Sequence, residues 1–245
     1  MKDQFEIVIF GANGLIGKSL CNYFLNKKLN VIAADMKFSN LQDLKKDFDG
    51  KLLLMKIDAT CINSVNKLFK ENTNCKKIIN LCYPRNPYYG AKLENVTSAN
   101  FIDNVSQNIS CYFNVMKSAS SAYCDKGGCS LVNFSSIYGI MPPRFEIYND
   151  TTMTMPVEYS AIKSAIIHMS SYFAKYYLKN DIRINCVSPG GIFDDQDQTF
   201  IKNYCKHTNN SGLLMSDELN ETCEFLLNSN NVTGQNLIVD NGFSL

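Results

Sequence analysis

Short apolar runs alternate along the chain with longer segments in which apolar residues recur at helical spacing. The apolar runs are FEIVIF, NVIAAD, KLLLMKID, KKIINLC, CSLVNFSS, IRINCVS and QNLIVD, over residues 5–10, 30–35, 51–58, 76–82, 129–136, 182–188 and 235–240. A short apolar run bounded by polar or turn residues is typical of a buried β-strand. The pattern therefore predicts about seven strands.

Helical patterns separate these strands. They are GLIGKSLCNYFLNK, SVNKLFKEN, a helix near 97–124 and a long helix over about 157–179. Strands that alternate with helices indicate βαβ units with right-handed crossovers. The predicted fold is α/β, a Rossmann-type doubly wound parallel sheet with helices on both faces. Because we find no repeat, linker or low-complexity tract, we expect one domain over residues 1–245.

Composition narrows the classes of partner and compartment. Lys plus Arg is 24 and Asp plus Glu is 23, so a net charge of +1 argues against nucleic acid and anionic membranes as partners. No run approaches ~18 apolar residues, so we expect no membrane span. The first residues, MKDQFEIVIFGANG, lack a long apolar region, so we expect no signal peptide and a cytoplasmic protein.

The ten cysteines and two histidines do not suggest a metal site. The cysteines are scattered without C-x-x-C pairs, and two histidines are too few for a typical zinc cluster. We therefore expect reduced, mostly buried thiols and no bound metal.

A glycine-rich turn, IFGANGLIG, lies between the first strand and the first helix. Glycine allows a sharp turn and a close approach to a pyrophosphate, and the helix N-terminus adds free N–H groups and partial positive charge. The three glycines are spaced three and three, not the two and three of the best-known dinucleotide fingerprint. The expected cofactor contacts of this turn are Gly11, Asn13, Gly14, Leu15, Ile16 and Gly17.

Asp35 closes the second predicted strand, 18 residues beyond Gly17. An acidic residue there can accept hydrogen bonds from the adenosine ribose hydroxyls, and its charge would repel a 2′-phosphate. This favours NAD over NADP as the cofactor. The alternative is that Asp35 only ends a strand.

The segment EYSAIKS places Tyr159 and Lys163 four residues apart, on one face of a predicted helix. A free phenol has a pKa of about 10 and is a poor base near neutrality. A nearby ammonium should stabilise the phenolate and lower that pKa. The pair predicts a proton-transfer group that works beside a hydride-carrying cofactor. The alternative is a surface tyrosine with a solvated lysine.

Further segments accompany this pair. LVNFSSIYG precedes it, IRINCVSPGGIF follows it, and TGQNLIVDNGFSL ends the chain. Together with the glycine-rich turn, they resemble the short-chain dehydrogenase/reductase family over nearly the whole chain. The string from PRFEIYND to EYSAIKS is also similar to bacterial members associated with flagellin or surface-sugar modification.

The resemblance implies roles for four residues near the reaction. Tyr159 matches the catalytic acid/base, and Lys163 matches the residue that lowers its pKa and binds the nicotinamide ribose. Ser136 matches the serine that hydrogen-bonds the substrate oxygen. Asn108 matches a helix asparagine that helps to hold a water near the lysine; its alternative is an ordinary helix residue.

The resemblance also implies cofactor contacts at strand ends. Pro189 and Gly190 match the turn beside the nicotinamide. Asp58, which ends the third strand, matches a contact to the adenine, with the alternative that it caps the next helix. Asn80 matches the start of a family turn after the fourth strand. Here that turn reads NLCYPRN, so Cys82 and Tyr83 replace residues that are usually small in the family.

Two long segments carry two of the three arginines. Arg85 lies in YPRNPYYG, and Arg144 lies in the 22 residues between Ser136 and Tyr159, a longer separation than the family usually has. Both segments follow strand ends, where ligands bind in such sheets. The hypothesis is that both arginines bind an anionic substrate such as a sugar phosphate, nucleotide sugar or sugar acid. The alternative is that both are surface or interface residues.

The sequence thus predicts an NAD-dependent oxidoreductase that interconverts a secondary alcohol and a ketone, on a sugar in surface-glycan biosynthesis. One alternative is a nucleotide-sugar epimerase or dehydratase that retains NAD, which the glycine spacing favours. Another is a dinucleotide-sensing module without catalysis. The family resemblance implies a homodimer or homotetramer formed through the helices near 97–124 and 157–179.

Overall fold

The computed structural model describes residues 4–209 and 211–245. Seven parallel strands form one sheet in the order β3-β2-β1-β4-β5-β6-β7. The strands are β1 Ile7–Phe10, β2 Val31–Asp35, β3 Leu52–Lys56, β4 Lys77–Asn80, β5 Cys129–Phe134, β6 Ile182–Pro189 and β7 Asn236–Val239. Each predicted strand is found, so the predicted doubly wound α/β fold is confirmed. The predicted single domain over 1–245 includes residues 1–3 and 210, which lie outside the described part.

Seven α-helices connect the strands or follow them. They are α1 Leu15–Asn26, α2 Gln42–Asp47, α3 Ile62–Glu71, α4 Ser98–Tyr123, α5 Val157–Tyr176, α6 Gln198–Cys205 and α7 Asn220–Asn228. The sequence pattern predicted α1, α3, α4 and α5 and missed the other three. Those three helices have at most nine residues, too few for a clear helical period.

Helices cover both faces of the sheet because neighbouring strand residues point to opposite sides. Val8 of β1 packs into a core that also takes α3, α4 and α5, through residues such as Tyr112 and Ile162. Ile9 packs into the opposite core with α1 and α7. The two cores give the strands their near-continuous burial, as expected of a parallel sheet.

The helix predicted over 157–179 ends earlier than expected. It stops at Tyr176, and a 3-10 helix over Leu178–Asn180 follows. Asp181 then takes a left-handed conformation with φ 54°, which turns the chain into β6. Within the described residues, no helix is both long and apolar enough to span a bilayer.

The strand order reverses between β1 and β4, because β2 and β3 lie on one side of β1 and the later strands on the other. Ligands of doubly wound sheets bind at the carboxyl ends of the strands at such a point. Here the turn after β1 packs directly against the chain that follows β4. Gly11 has φ +74°, and a Cβ on it would lie 2.7 Å from the carbonyl oxygen of Leu81.

Gly11→Ala should therefore destabilise the fold more than Gly50→Ala does. Both glycines have positive φ, but a Cβ at Gly50 would meet open space. The control should lose about 1–2 kcal/mol from backbone strain alone, and Gly11→Ala should lose more because the Leu81 backbone must also move. Urea unfolding of the two variants measures the difference. Equal losses would show that the close approach to Leu81 carries no cost.

Candidate active site

Two cavities meet at the carboxyl edge of the sheet. The larger, of about 550 Å³, is lined by Ser136, Tyr159 and Lys163, among others. The smaller, of about 320 Å³, is lined by residues that include Asp35 and Asp58. Both are lined by Gly11, Gly14, Leu81 and Tyr83. Together they provide one elongated site that passes the glycine-rich turn.

The glycine-rich turn fits a dinucleotide pyrophosphate. Gly14 is the N-cap of α1 and brings no side chain to the cap, so the first helical N–H groups have no side-chain acceptor there. A Cβ on Gly17 would lie 2.7 Å from the Cα of Ala12, so the helix can pack this closely only with glycine. Leu15 and Ile16 line the larger cavity with the three glycines.

Asn13 has a different position from the rest of this turn. Its side-chain oxygen accepts a hydrogen bond from the Asn40 backbone N–H at 2.8 Å, and its own backbone N–H donates to Asp35 at 3.0 Å. It lines neither of the two cavities among the described residues. The structure therefore shows Asn13 bracing the turn, and its contact with a cofactor stays a prediction.

The two aspartates predicted for the adenosine side both line the smaller cavity. Asp35 accepts hydrogen bonds from the backbone N–H groups of Asn13 and Lys37, which fix its carboxylate at the end of β2. Asp58 accepts from the backbone N–H and hydroxyl of Thr60, at 2.9 and 2.6 Å. The alternative that Asp58 caps α3 is wrong, because the N-cap residue is Cys61.

Tyr159 and Lys163 lie one turn apart at the start of α5, and β5 brings Ser136 to them. The Ser135 hydroxyl donates to the Lys163 carbonyl at 2.7 Å, which fastens the end of β5 to α5. The Lys163 ammonium donates to the Phe134 carbonyl at 3.0 Å. Three predicted catalytic residues from two elements thus share one cavity wall.

Burial dominates the protonation of this pair. Lys163 is buried, and loss of solvation lowers its pKa to about 8. Burial raises the pKa of Tyr159, and a hydrogen bond from Ser136 acts against that rise. The expected lowering of the Tyr159 pKa by Lys163 is not found in the free protein. The ammonium lies 5.5 Å from the centroid of the tyrosine ring and hydrogen-bonds Phe134 instead.

Sequence reasoning missed two tyrosines beside Lys163. Its ammonium lies 5.3 Å from the ring centroid of Tyr83 and 5.9 Å from that of Tyr112. In the sequence, Tyr83 stands out only as a bulky residue in the turn after the fourth strand. Tyr112 lies four residues beyond Asn108 on α4, and this helical spacing was the one available signal.

Asn108 is buried on α4 and holds the chain that follows β4. Its side-chain amide donates to the backbone carbonyls of Pro84 and Asn104, at 2.8 and 2.9 Å, while its side-chain oxygen has no hydrogen-bond partner among the described residues. Its predicted part in holding a water near Lys163 stays a prediction. Asn80 is also buried, and its side-chain oxygen accepts from the Cys82 backbone N–H at 3.2 Å. Asn80 therefore shapes the turn. It lines neither cavity in the described part of the chain, and its contact with the cofactor stays a prediction.

The long segment after Ser136 forms a wall of the larger cavity. It contains 3-10 helices over Ile137–Gly139 and Phe145–Tyr148 and packs against α6 and Phe243. Its cavity-lining residues include Tyr138, Tyr148, Met153, Thr154 and Met155. Pro189 and Gly190, at and just after the end of β6, also line the larger cavity, and their contact with the nicotinamide stays a prediction. The function of this segment had no signal in the sequence beyond its length.

The two arginines predicted to bind one anionic group are not brought together. Arg85 is exposed and lines the smaller cavity, where its guanidinium lies 5.3 Å from the Tyr83 ring centroid. Arg144 donates to the Phe243 carbonyl at 3.4 Å and lies over the Phe243 ring. Arg144 lines neither cavity among the described residues, so a joint grip is not supported. A separate role of either one in binding substrate stays a prediction.

Comparisons with known proteins show which proteins this chain resembles. A family model described as enoyl-(acyl carrier protein) reductase matches residues 11–244. Post-translational flagellin modification protein A of Campylobacter coli is 31% identical over 100% of both chains. The 7alpha-hydroxysteroid dehydrogenase of Bacteroides fragilis is 24% identical over 99% of this chain and 96% of the relative. A short chain dehydrogenase from Leptospira borgpetersenii with bound NAD+ is 29% identical, with a TM-score of 0.86 over 100% of this chain and 94% of its own.

Lys163 should make the free energy of unfolding depend on pH. Its ordinary pKa is 10.5 and burial lowers it to about 8, so between these values the unfolded chain binds more protons than the folded one. Stability therefore rises with pH in this window. Relative to Lys163→Met, the wild type should gain at most about 1.4 kcal/mol per pH unit between about pH 8 and 10. Urea unfolding at each pH measures this, and a constant difference would contradict it.

Proposed function

Because the chain belongs to the short-chain dehydrogenase/reductase family, we propose that it is an NAD-dependent enzyme that interconverts a secondary alcohol and a ketone. One observation carries the proposal. Ser136, Tyr159 and Lys163 share a wall of a cavity that continues past a glycine-rich helix N-terminus. A dinucleotide-sensing module would not need this arrangement of a hydroxyl, a phenol and an ammonium.

The three side chains have distinct roles in this proposal. Ser136 orients the substrate oxygen by hydrogen bonding, and Tyr159 exchanges a proton with that oxygen. Lys163 binds the nicotinamide ribose and places positive charge beside the phenol. When bound, the nicotinamide ring accepts or donates the hydride.

The protonation of the free protein suits the acid half of this chemistry. Burial raises the pKa of Tyr159, so its phenol carries a proton at neutral pH. Lys163, with a pKa of about 8, is mostly charged there. A protonated phenol can supply the proton that a ketone oxygen gains on reduction. The reverse step needs positive charge near Tyr159, which Lys163 is placed to provide.

The substrate we propose is a sugar derivative used in surface-glycan biosynthesis. The relative in Campylobacter coli, by its name a flagellin modification protein, supports this role. The larger cavity is lined mainly by phenol rings and apolar side chains, with Lys163 and Asp194 as its charged members among the described residues. Phenol rings can pack on the apolar face of a sugar while their hydroxyls bond its hydroxyls.

We also propose that the chain forms a homodimer or homotetramer through α4 and α5. Both helices expose aromatic side chains on their outer surfaces, including Phe113, Tyr172 and Tyr176. Phe113 packs edge-on against Phe173 and so joins the two helices into one apolar surface. Exposed apolar patches of this kind are typical of protein interfaces.

Tyr159→Phe should reduce turnover by at least about 100-fold, because it removes the proton that general acid catalysis supplies. The assay is a panel of sugar phosphates and nucleotide sugars with NAD and NADP, followed by the absorbance of the reduced nicotinamide. Tyr88→Phe, at an exposed tyrosine that lines neither cavity among the described residues, is the matched control. Full activity of Tyr159→Phe would rule out the proposed mechanism. Cofactor that copurifies, without net formation of NADH, would favour an epimerase or dehydratase.

Asp35→Ala should relax the preference for NAD. Loss of a charge-assisted hydrogen bond and of repulsion toward a 2′-phosphate should change the ratio of NADH and NADPH dissociation constants by at least about tenfold. Asp35→Asn separates the two effects, because it retains an acceptor for the Asn13 N–H and removes the charge. Asp47→Ala, at an exposed site on α2, is the control. An unchanged ratio in both Asp35 variants would remove Asp35 from cofactor selection.

A further inference from the structure

The buried ammonium of Lys163 is surrounded by aromatic rings from three parts of the fold. Tyr159 lies on its own helix, Tyr112 on α4 and Tyr83 in the chain after β4, with ring centroids 5.5, 5.9 and 5.3 Å from Nζ. The faces of aromatic rings carry partial negative charge and attract cations, most strongly where water is excluded. We call these three rings the tyrosine cage.

The other groups around this ammonium are neutral. The Phe134 carbonyl accepts hydrogen bonds from Lys163 at 3.0 Å and from the Tyr112 hydroxyl at 2.9 Å. Besides the tyrosines, the titratable groups that influence the pKa of Lys163 among the described residues are the thiols of Cys82 and Cys186. Burial raises the pKa of Cys186 to about 12, and burial and contact with Cys111 raise the pKa of Cys82. The charge of Lys163 is therefore offset by ring faces and one carbonyl.

Tyr83 is the cage member whose ring contacts both Lys163 and Tyr159. Its ring meets the Tyr159 ring edge-on, with centroids 5.8 Å apart and an angle of 79°. It also lines both cavities, at the point where they meet. The tyrosine thus touches the two residues whose relative position decides proton transfer.

The backbone around Tyr83 is held from several directions. Asn108 donates to the carbonyl of the next residue, Pro84, at 2.8 Å. Asn104 and Asn86 hydrogen-bond each other twice, and Asn104 also donates to the buried carboxylate of Glu158 at 3.2 Å. The Tyr83 hydroxyl also bonds that of Tyr89. Such a tethered segment keeps the Tyr83 ring at one place beside Lys163.

We propose that Tyr83 is a positioning residue for the proposed reaction, whose ring face, with that of Tyr112, keeps the Lys163 ammonium charged and in place beside Tyr159. This inference rests on the proposed function for its catalytic meaning. The physical contact between ring and ammonium can be tested without a substrate. In the family that this chain resembles, a small residue usually stands at this position. The contact of the Tyr83 ring with Lys163 is therefore a feature in which this chain departs from the family.

The test compares Tyr83→Leu, which removes the ring but keeps an apolar side chain, with Tyr83→Phe, which keeps the ring. Leucine is chosen over alanine because a smaller residue would admit water and raise the Lys163 pKa for a different reason. The control is Tyr88→Leu, because Tyr88 lies in the same segment and is 64% exposed. The measurement is the NMR titration of the Lys163 side chain in protein labelled at lysine, with the signal assigned from Lys163→Met.

Wild type, Tyr83→Phe and Tyr88→Leu should titrate together. Tyr83→Leu should titrate about 0.5 to 1.5 pH units lower, since the lost ring face no longer stabilises the charged form. An equal or higher pKa in Tyr83→Leu would overturn the proposal. An equal fall in Tyr83→Phe would also overturn it, because the hydroxyl contact with Tyr89 would then be responsible. Amide spectra check that each variant folds, and Tyr83→Met replaces Tyr83→Leu if that variant does not fold.

Turnover separates this proposal from the proposed function. With an identified substrate, the limb of the pH profile of kcat/KM that reports Lys163 should move in Tyr83→Leu by the shift seen in the titration. A purely structural role for Tyr83 would lower activity without moving that limb. If the titration shifts while Tyr159→Phe retains full turnover, the tyrosine cage stands and the proposed function fails.

Discussion

A positive charge held out of water constrains the whole candidate site. The Lys163 ammonium loses much of its hydration because it is buried, so contacts within the protein must stabilise its charge instead. One carbonyl and three ring faces do so, and they come from β5, α4, α5 and the segment after β4. The placement of those four elements therefore bears directly on the proton transfer that we propose for Tyr159 and Lys163.

The parallel sheet makes this placement possible. Its strand order reverses at β1 and β4, so the glycine-rich turn and the chain after β4 meet at the same edge. The end of β5 is then fastened to α5 by the Ser135 hydroxyl. The proposed cofactor site and the proposed proton-transfer site consequently lie side by side, although more than half of the chain separates Gly17 from Tyr159.

Two of the departures from the family pattern lie at the larger cavity. The larger segment between Ser136 and Tyr159 adds phenol and thioether side chains to the cavity wall. The bulky turn after β4 adds Tyr83, which the amides of α4 hold in place. Both changes make the site more aromatic and leave Ser136, Tyr159 and Lys163 in place. This is the pattern expected where a family keeps one reaction and changes its substrate.

The sequence by itself determined the seven strands, the four long helices, the family and the Ser136, Tyr159 and Lys163 set. The strands and helices follow from local periodicity, which a linear chain displays directly. The family and the three site residues follow from motifs that resemble those of the family. Only the tertiary structure decided that Arg144 bonds the Phe243 carbonyl, that Arg85 lines the smaller cavity, and that burial raises the pKa of Tyr159. It alone also placed Tyr83 and Tyr112 around Lys163. Such contacts join residues far apart in the chain, and desolvation depends on every atom that surrounds a group, so neither follows from spacing.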